Sequence, residues 1–242
     1  MDGLITAAGL GTRSGTSRFL RKEMLSLYDV RDSKLLLRPV IDCAIYRMMY
    51  SGIRDIYVVI DPGDRITEYY LKNMFPDVNM LYQKEKRGFG DAVYQARNSI
   101  RGPFVLNAGD GILIDKDMEK KIIESYSGGN RLAVFEVDNP SRYGTIELEG
   151  DRVTGVVEKS PDPPSNLALS AFYILTEDVF THINGENKNV EVTDAIQASI
   201  KSGTVTYATR LRKGEWISVG IAGEYHTTLK ETYDYFSGKL NR

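Results

Sequence analysis

Hydrophobic positions in the first half of the chain follow two alternating spacings. Gly3 to Ala8 (GLITAA) and Ile56 to Ile60 (IYVVI) are short, almost unbroken apolar runs, the pattern of strands buried on both faces. Val78 to Tyr82 and Phe104 to Leu106 repeat it, the latter running into Asn107-Ala108-Gly109-Asp110. Between these runs the period lengthens. Pro39 to Tyr50 carries Val40, Ile41, Ala44, Ile45, Met48 and Met49 at helical spacing, with proline in the first turn and Gly52 beyond the end. Asp64 to Phe75 and Gly90 to Ile100 read as further helices. Strands and helices in alternation predict an α/β fold with a doubly wound, Rossmann-like sheet. Ligands of such sheets bind beyond the carboxyl ends of the strands, where Gly9-Leu10-Gly11 and Asp110 both fall.

After about Arg131 the texture changes. Leu132 to Val137, Thr145 to Leu148, Val153 to Glu158 and Leu167 to Leu175 read as strands with few helices between them, and helices return at Thr193 to Ser202 and Ala222 to Phe236. The sheet is therefore expected to be mixed but mostly parallel, with a β-rich extension. A length of 242 residues with 42% apolar composition predicts a single domain over residues 1–242. There is no internal repeat, and no hexapeptide array of a C-terminal β-helix.

Charge and composition narrow the chemistry. A net charge of -2 argues against nucleic acid or a membrane surface as partner. The single cysteine, Cys43, forms no internal disulfide, which fits a reducing cytoplasm. The N-terminus has no secretory leader pattern, and no apolar run approaches the roughly 20 residues of a membrane span. Two histidines and one cysteine leave little for a transition-metal site, so any metal is expected to be a hard cation on carboxylates and phosphates.

The stretch Gly9-Leu10-Gly11-Thr12-Arg13 follows the first predicted strand. It is not the dinucleotide fingerprint, which needs glycine where Ser14 stands, and no phosphate-loop motif G-x-x-x-x-G-K-[ST] begins at Gly9 or Gly11. Glycines here let successive amides turn toward an anion, and Arg13 and Lys22 bring full charges to a polyphosphate. A turn with two surface cations is the plainer alternative. The threonine-arginine pair and the later lysine favour a triphosphate.

With these residues in view, AAGLGTR followed by KEML resembles the start of nucleotidyltransferases that join a nucleoside triphosphate to a sugar 1-phosphate, especially uridylyl- and thymidylyltransferases acting on glucose 1-phosphate. The likeness continues in order through Gln83 and Arg87-Gly88-Phe89-Gly90-Asp91, Asn107-Ala108-Gly109-Asp110-Gly111, Tyr143-Gly144, Val156-Val157-Glu158-Lys159, the strand ending Tyr173-Ile174-Leu175, and Glu191-Val192-Thr193-Asp194-Ala195-Ile196. It implies that a sugar-phosphate oxygen attacks the α-phosphorus of UTP or dTTP and expels pyrophosphate, with no protein nucleophile. Residues 1–130 would then be the nucleotide half and 131–242 the sugar-phosphate half. Arg13, Lys22, Asp110 and Lys159 would be catalytic. Ala8, Gly9, Gly11, Thr12, Arg13, Gln83 and Gly88 would bind nucleotide; Gly144, Glu158, Lys159 and Ser170 would bind the sugar phosphate. The implied cofactor is Mg²⁺, anchored by Asp110, and the implied partners are the two small substrates, with a homo-oligomer left open. Asp91 is read as capping or solvating its helix rather than touching substrate.

Three departures from the family pattern stand out. Arg21 replaces a proline before the loop lysine, Val30 to Leu37 reads as an insertion, and Ala171 stands where glycine is common, narrowing the space for a hexose. A fourth concerns the metal. Trp216-Ile217-Ser218-Val219-Gly220 resembles a motif whose aspartate is the second metal ligand, and here that position is Ser218. A hydroxyl does not replace a carboxylate on a hard dication. Glu215 is the neighbouring carboxylate that could substitute, against strand alternation. Ala171 keeps transfer to another phosphomonoester such as phosphocholine as an alternative, and Ser218 keeps a catalytically weak nucleotide or nucleotide-sugar binder. On this reading Ser218→Asp lowers the Mg²⁺ concentration needed for half-maximal activity; a metal titration that does not shift would reject a weakened site.

Overall fold

The computed structural model describes residues 1–9, 20–183 and 189–240. In chain order its strands and helices begin with β1 (Asp2–Ala7), β2 (Ser26–Arg31), β3 (Lys34–Pro39), α1 (Val40–Tyr50), β4 (Ile56–Ile60), α2 (Arg65–Met74), β5 (Asn79–Tyr82) and α3 (Phe89–Tyr94). There follow β6 (Phe104–Ala108), β7 (Gly111–Leu113), α4 (Lys116–Glu124), β8 (Asn130–Glu136), β9 (Gly144–Glu149), β10 (Arg152–Glu158) and β11 (Leu167–Leu175). The chain closes with α5 (Val179–His182), α6 (Val192–Lys201), β12 (Thr206–Leu211), β13 (Trp216–Ser218) and α7 (Tyr225–Leu240).

Among the described residues, nine strands form one sheet in the order β5-β4-β1-β6-β11-β8-β12-β10-β9. β5, β4, β1 and β6 are parallel neighbours, as are β8 and β12, whereas β11 and β10 run against theirs. The predicted mixed, mostly parallel, doubly wound sheet is what forms. Alternation along its central strands sends side chains to two cores. Ile5, Val58 and Val105 join residues of α1 and α4 on one face; Leu4, Val59 and Leu106 join residues of α3, α5 and α6 on the other.

Several expectations need correction. The segment Val30 to Leu37, read as an insertion with no structure assigned to it, forms most of a hairpin, β2 paired with β3 up to Arg31 and Lys34. Its two turn residues, Asp32 and Ser33, both have positive φ (49° and 57°), the requirement of a two-residue hairpin turn. Gly90 to Ile100 is helical only to Tyr94 and continues as turns. Met49, counted on the apolar face of α1, is exposed, while Asp42 and Arg47 on the same helix are buried.

Arg47 explains the hairpin. Its Nε donates to Leu113 O at 2.8 Å, and its terminal nitrogens reach Cys43 O, Ile114 O and both carboxylate oxygens of Asp29, so all five donors are used. Asp29 sits at an inward-facing position of β2, and Arg31 from the same strand pairs with Asp42 of α1, which also accepts from Tyr70 Oη at 2.6 Å. Glu119 of α4 lies buried beside this network with neither carboxylate oxygen hydrogen-bonded. Burial pushes its carboxyl up to about 8, with Arg47 pulling the other way. A carboxyl raised from 4.5 in the unfolded chain favours the protonated fold, so its contribution to stability declines as pH rises from about 4.5 to about 8. Glu119→Gln should therefore raise the Tm at pH 8 by at least about 3 °C, equivalent to about 1 kcal/mol in a chain of this size. The gain should shrink toward pH 5; a pH-independent difference in thermal melts would contradict this account.

Candidate active site

A cleft of about 740 Å³ opens at the carboxyl ends of β1 and β6. Among the described residues, every site position expected from the sequence lines it: Ala8, Gly9, Lys22, Gln83, Gly88, Asp110, Gly144, Glu158, Lys159, Ser170 and Ser218. Gly11, Thr12 and Arg13 lie outside the described residues. The chain thus brings together residues more than 200 positions apart, and elementary geometry explains how.

The floor is the turn after β6. Gly109 N donates to Thr6 O at 2.9 Å, and a β-carbon at Gly109 would meet that same oxygen at 2.9 Å, so the turn hugs β1 only as glycine. Asp110 follows. Lys22, in a single helical turn before β2, places its Nζ 2.5 Å from Asp110 Oδ2. Gly111 opens β7, which pairs with β13 so that Ser218 stands opposite Gly111. The indole of Trp216 covers Gly111, where a β-carbon would come within 2.3 Å of the ring. Val219 N donates to Asp110 O at 2.9 Å, and Gly220 leaves room for the Asp110 carboxylate. The late tryptophan motif therefore lies directly beside the aspartate turn. Glu215 does not contribute there: its carboxylate accepts from the backbone N and side-chain Nε of Arg212, and it is absent from the cleft lining.

Glu23 is the residue the sequence reading passed over at this floor. Its side chain is 2% exposed, packs against Gly109, lines the cleft, and leaves Oε2 without a hydrogen-bond partner. Burial pushes its carboxyl up to about 7; Lys22 pulls it down and Asp110 adds to the rise. A hard cation here would meet oxygen donors only, which suits a magnesium-like ion. Among the described residues no cluster of three His, Cys, Asp or Glu side chains could hold a metal alone. Phosphate oxygens and water would have to complete its shell.

On one wall, Gly88 has φ of +114°, and a β-carbon there would lie 2.5 Å from Val190 O. Gln83 Nε2 donates to Gly88 O at 3.1 Å and to Asp91 Oδ2 at 2.7 Å. Asp91 neither caps its helix nor meets solvent, contrary to expectation. It is buried and also accepts from Arg87 and Gln95. Arg21, the proline replacement, is held outside the cleft, bonded to Asp61 at 2.8 Å and to Gly9 O at 3.2 Å.

On the opposite wall, Lys159 has φ of +42° and pairs with Glu158, which also accepts from Thr193 Oγ1 at 3.2 Å. A β-carbon at Gly144 would crowd Glu158 Oε2 at 2.8 Å and Thr193 at 3.0 Å. Ala171 has φ of +62° within a register shift of β11 between Leu169 and Tyr173. Ser170 fixes that bulge, its hydroxyl donating to Ala133 O and accepting from Phe172 N. Lys86, Arg142, Tyr173 and Glu191 also line the cleft. Lys86 and Arg142 fall between the motifs, and Tyr173 and Glu191 stand in motifs that carried no role for them, so only their three-dimensional placement assigns all four to the cleft. Glu191 is shifted upward by burial first and by Glu158 second.

Comparison with known proteins gives the family and supports the fold. The model of the nucleotidyl transferase family matches residues 2–234. A UTP–glucose-1-phosphate uridylyltransferase of Streptococcus pyogenes serotype M3 is 30% identical over 84% of this chain and 79% of its own. The bifunctional protein GlmU of Methanococcus maripaludis is 28% identical over 91% of this chain and 51% of its own length. Among solved structures, a Bacillus anthracis chain assigned as a glucose-1-phosphate thymidylyltransferase superposes with a TM-score of 0.77 at 21% identity, covering 96% of this chain and 95% of that one. A UDP-glucose pyrophosphorylase from Acinetobacter baumanii gives 0.74 at 21% identity, over 97% and 92%. The chain belongs to the nucleotidyl transferase family.

Proposed function

We propose that the protein transfers a nucleotidyl group from UTP or dTTP to a sugar 1-phosphate, glucose 1-phosphate being the favoured acceptor, and releases pyrophosphate. The observation that carries this reading is the single cleft in which Lys22 and Asp110 from the first half meet Glu158 and Lys159 from the second. Both reacting groups are anions, so the chain must hold them together and offset their repulsion. Lys22, with Arg13, takes the triphosphate, and Lys159 the acceptor phosphate. Each lysine rests on a carboxylate, Lys22 on Asp110 and Lys159 on Glu158, and turns from it to phosphate when substrate arrives. Glu158, freed of Lys159, accepts from sugar hydroxyls. Asp110 would hold a Mg²⁺ ion, which would supply further charge neutralisation on the phosphates. Residues 1–130 serve the nucleotide and 131–242 the acceptor, within one domain.

Gln83 supports the choice of base. Both N–H donors of its amide are used on Gly88 O and Asp91, leaving its carbonyl oxygen as acceptor. An acceptor complements the N3–H of uracil or thymine and opposes the bare N3 of cytosine. A methyl group separates the first two by only about 1–3 kcal/mol in a pocket, so both are expected to react.

The decisive measurement is pyrophosphate release across a panel of nucleoside triphosphates and phosphomonoesters. UTP and dTTP with glucose 1-phosphate should turn over and CTP should not; turnover with phosphocholine alone would move the acceptor, and binding without turnover would make the protein a nucleotide binder. Asp110→Asn and Lys159→Ala should each lower kcat by about 100- to 1,000-fold.

Ala171 should decide how much acceptor fits. In the left-handed region its β-carbon costs about 1–2 kcal/mol, more than the roughly 0.4–1 kcal/mol that glycine loses to unfolded-chain entropy, so Ala171→Gly should hold or slightly raise the Tm. The same change should lower KM for sugar 1-phosphates bulkier than glucose 1-phosphate more than for glucose 1-phosphate itself. Equal KM values in the two proteins for all acceptors would exclude Ala171 from the acceptor wall.

A further inference from the structure

We propose that Glu23 is the second carboxylate of the cation site, filling with Asp110 the role for which Ser218 lacks a charge; this rests on Asp110 being the metal anchor in the function proposed above. Three observations carry it. Glu23 lines the cleft floor, 2% exposed, yet Oε2 has no hydrogen-bond partner. A buried carboxylate oxygen left unpaired is costly, and such an orphan in a cleft calls for a ligand. Its side chain packs against Gly109, the residue before Asp110, which brings the two carboxyls to the same turn. The charge of Lys22 already stands at that turn, with its ammonium on Asp110 Oδ2, as a resident stand-in for a cation.

Ser218 approaches from the other side of the same turn, opposite Gly111, and its backbone oxygen accepts from Thr228 Oγ1 at 3.3 Å. It offers a neutral hydroxyl, so a dication gains charge compensation from Glu23 and not from Ser218. A divalent ion shared by Glu23 and Asp110 would displace the Lys22 ammonium and free it for phosphate. One purely structural account competes: a buried water joining Glu23 to Asn107, whose side-chain amide, two residues before Gly109, also lacks partners.

Mn²⁺ alone, without nucleotide or sugar phosphate, is the probe, with free and bound metal counted by electron paramagnetic resonance on the full chain. Wild type should bind one Mn²⁺. Glu23→Gln and Asp110→Asn should each raise the Kd at least tenfold, and Ser218→Ala should leave it within twofold. Glu23→Asp, which keeps the charge and shortens the arm, covers failure of the glutamine variant to fold and should also weaken binding. Unchanged affinity in either folded Glu23 variant, or no Mn²⁺ bound by wild type, overturns the proposal in favour of the water. Because no substrate is present, the result is independent of the transfer assay: Mn²⁺ binding that follows Glu23 in a protein releasing no pyrophosphate would retain the site and reject the reaction.

Discussion

The contact on which the rest of the structure depends is the buried guanidinium of Arg47. An unpaired charge of this burial would be untenable, and here every donor is matched. The matches come from separate parts of the chain: Asp29 from the hairpin, Cys43 O from its own helix, and the carbonyls of Leu113 and Ile114 at the end of β7. β7 begins immediately after Asp110 and carries β13 with Ser218 on its edge. Arg47 is therefore where the hairpin, α1 and the strand leaving the aspartate turn are fixed relative to one another. The site is precise at Asp110 because a charge under the sheet leaves few alternative arrangements.

Strain gathers around the cleft. Lys159 and Ala171 are two of the four non-glycine residues with positive φ among the described residues, and both line it; the other two form the hairpin turn. Hairpin turns require that conformation, whereas strand ends do not. Lys159 adopts it directly after β10, so its side chain and that of Glu158 leave the strand toward the same space. Ala171 adopts it within a bulge pinned by Ser170 and by Tyr173 Oη, which accepts from Ala171 N at 3.2 Å. Conformations that cost free energy and persist at a concave site shape that site. Gly88 is the third case, where backbone crowding by Val190 admits no side chain.

How much of this could be read from residues alone follows from the range of each interaction. The strands of the parallel half were legible because runs such as IYVVI are buried on both faces, and burial there is a local compositional signal. Of the candidate site positions, the glycine turn and Asp110 could be set at strand ends from the residues, whereas Gln83, Gly144, Glu158, Lys159 and Ser170 came only with the family resemblance. The hairpin was not, because its turn is Asp-Ser and lacks the glycine that marks such turns, and because Asp29 breaks the apolar alternation of β2. That aspartate makes sense only with Arg47, on a helix whose own apolar stripe it interrupts. Glu23 was invisible for a related reason. A glutamate after a lysine reads as an exposed charge pair, and only the closeness of Gly109 shows that it is enclosed.

The resting electrostatics of the cleft give the last constraint. Lys22 pairs with Asp110, Lys159 with Glu158, and Lys86 with Asp61 at 2.9 Å. A cleft built to gather two anions would be expected to hold unpaired cations, yet each of these three is matched within the chain. Matched pairs keep a partly buried cleft folded without substrate, since several like charges together would repel and each would lose hydration. The consequence is that anion binding is an exchange: phosphate must replace carboxylate on each lysine, and the carboxylate released needs a new partner. For Glu158 the sugar hydroxyls can serve. For Asp110 only a cation of comparable charge will do, and this ties occupation of the triphosphate site to occupation of the metal site more tightly than either set of residues would require alone.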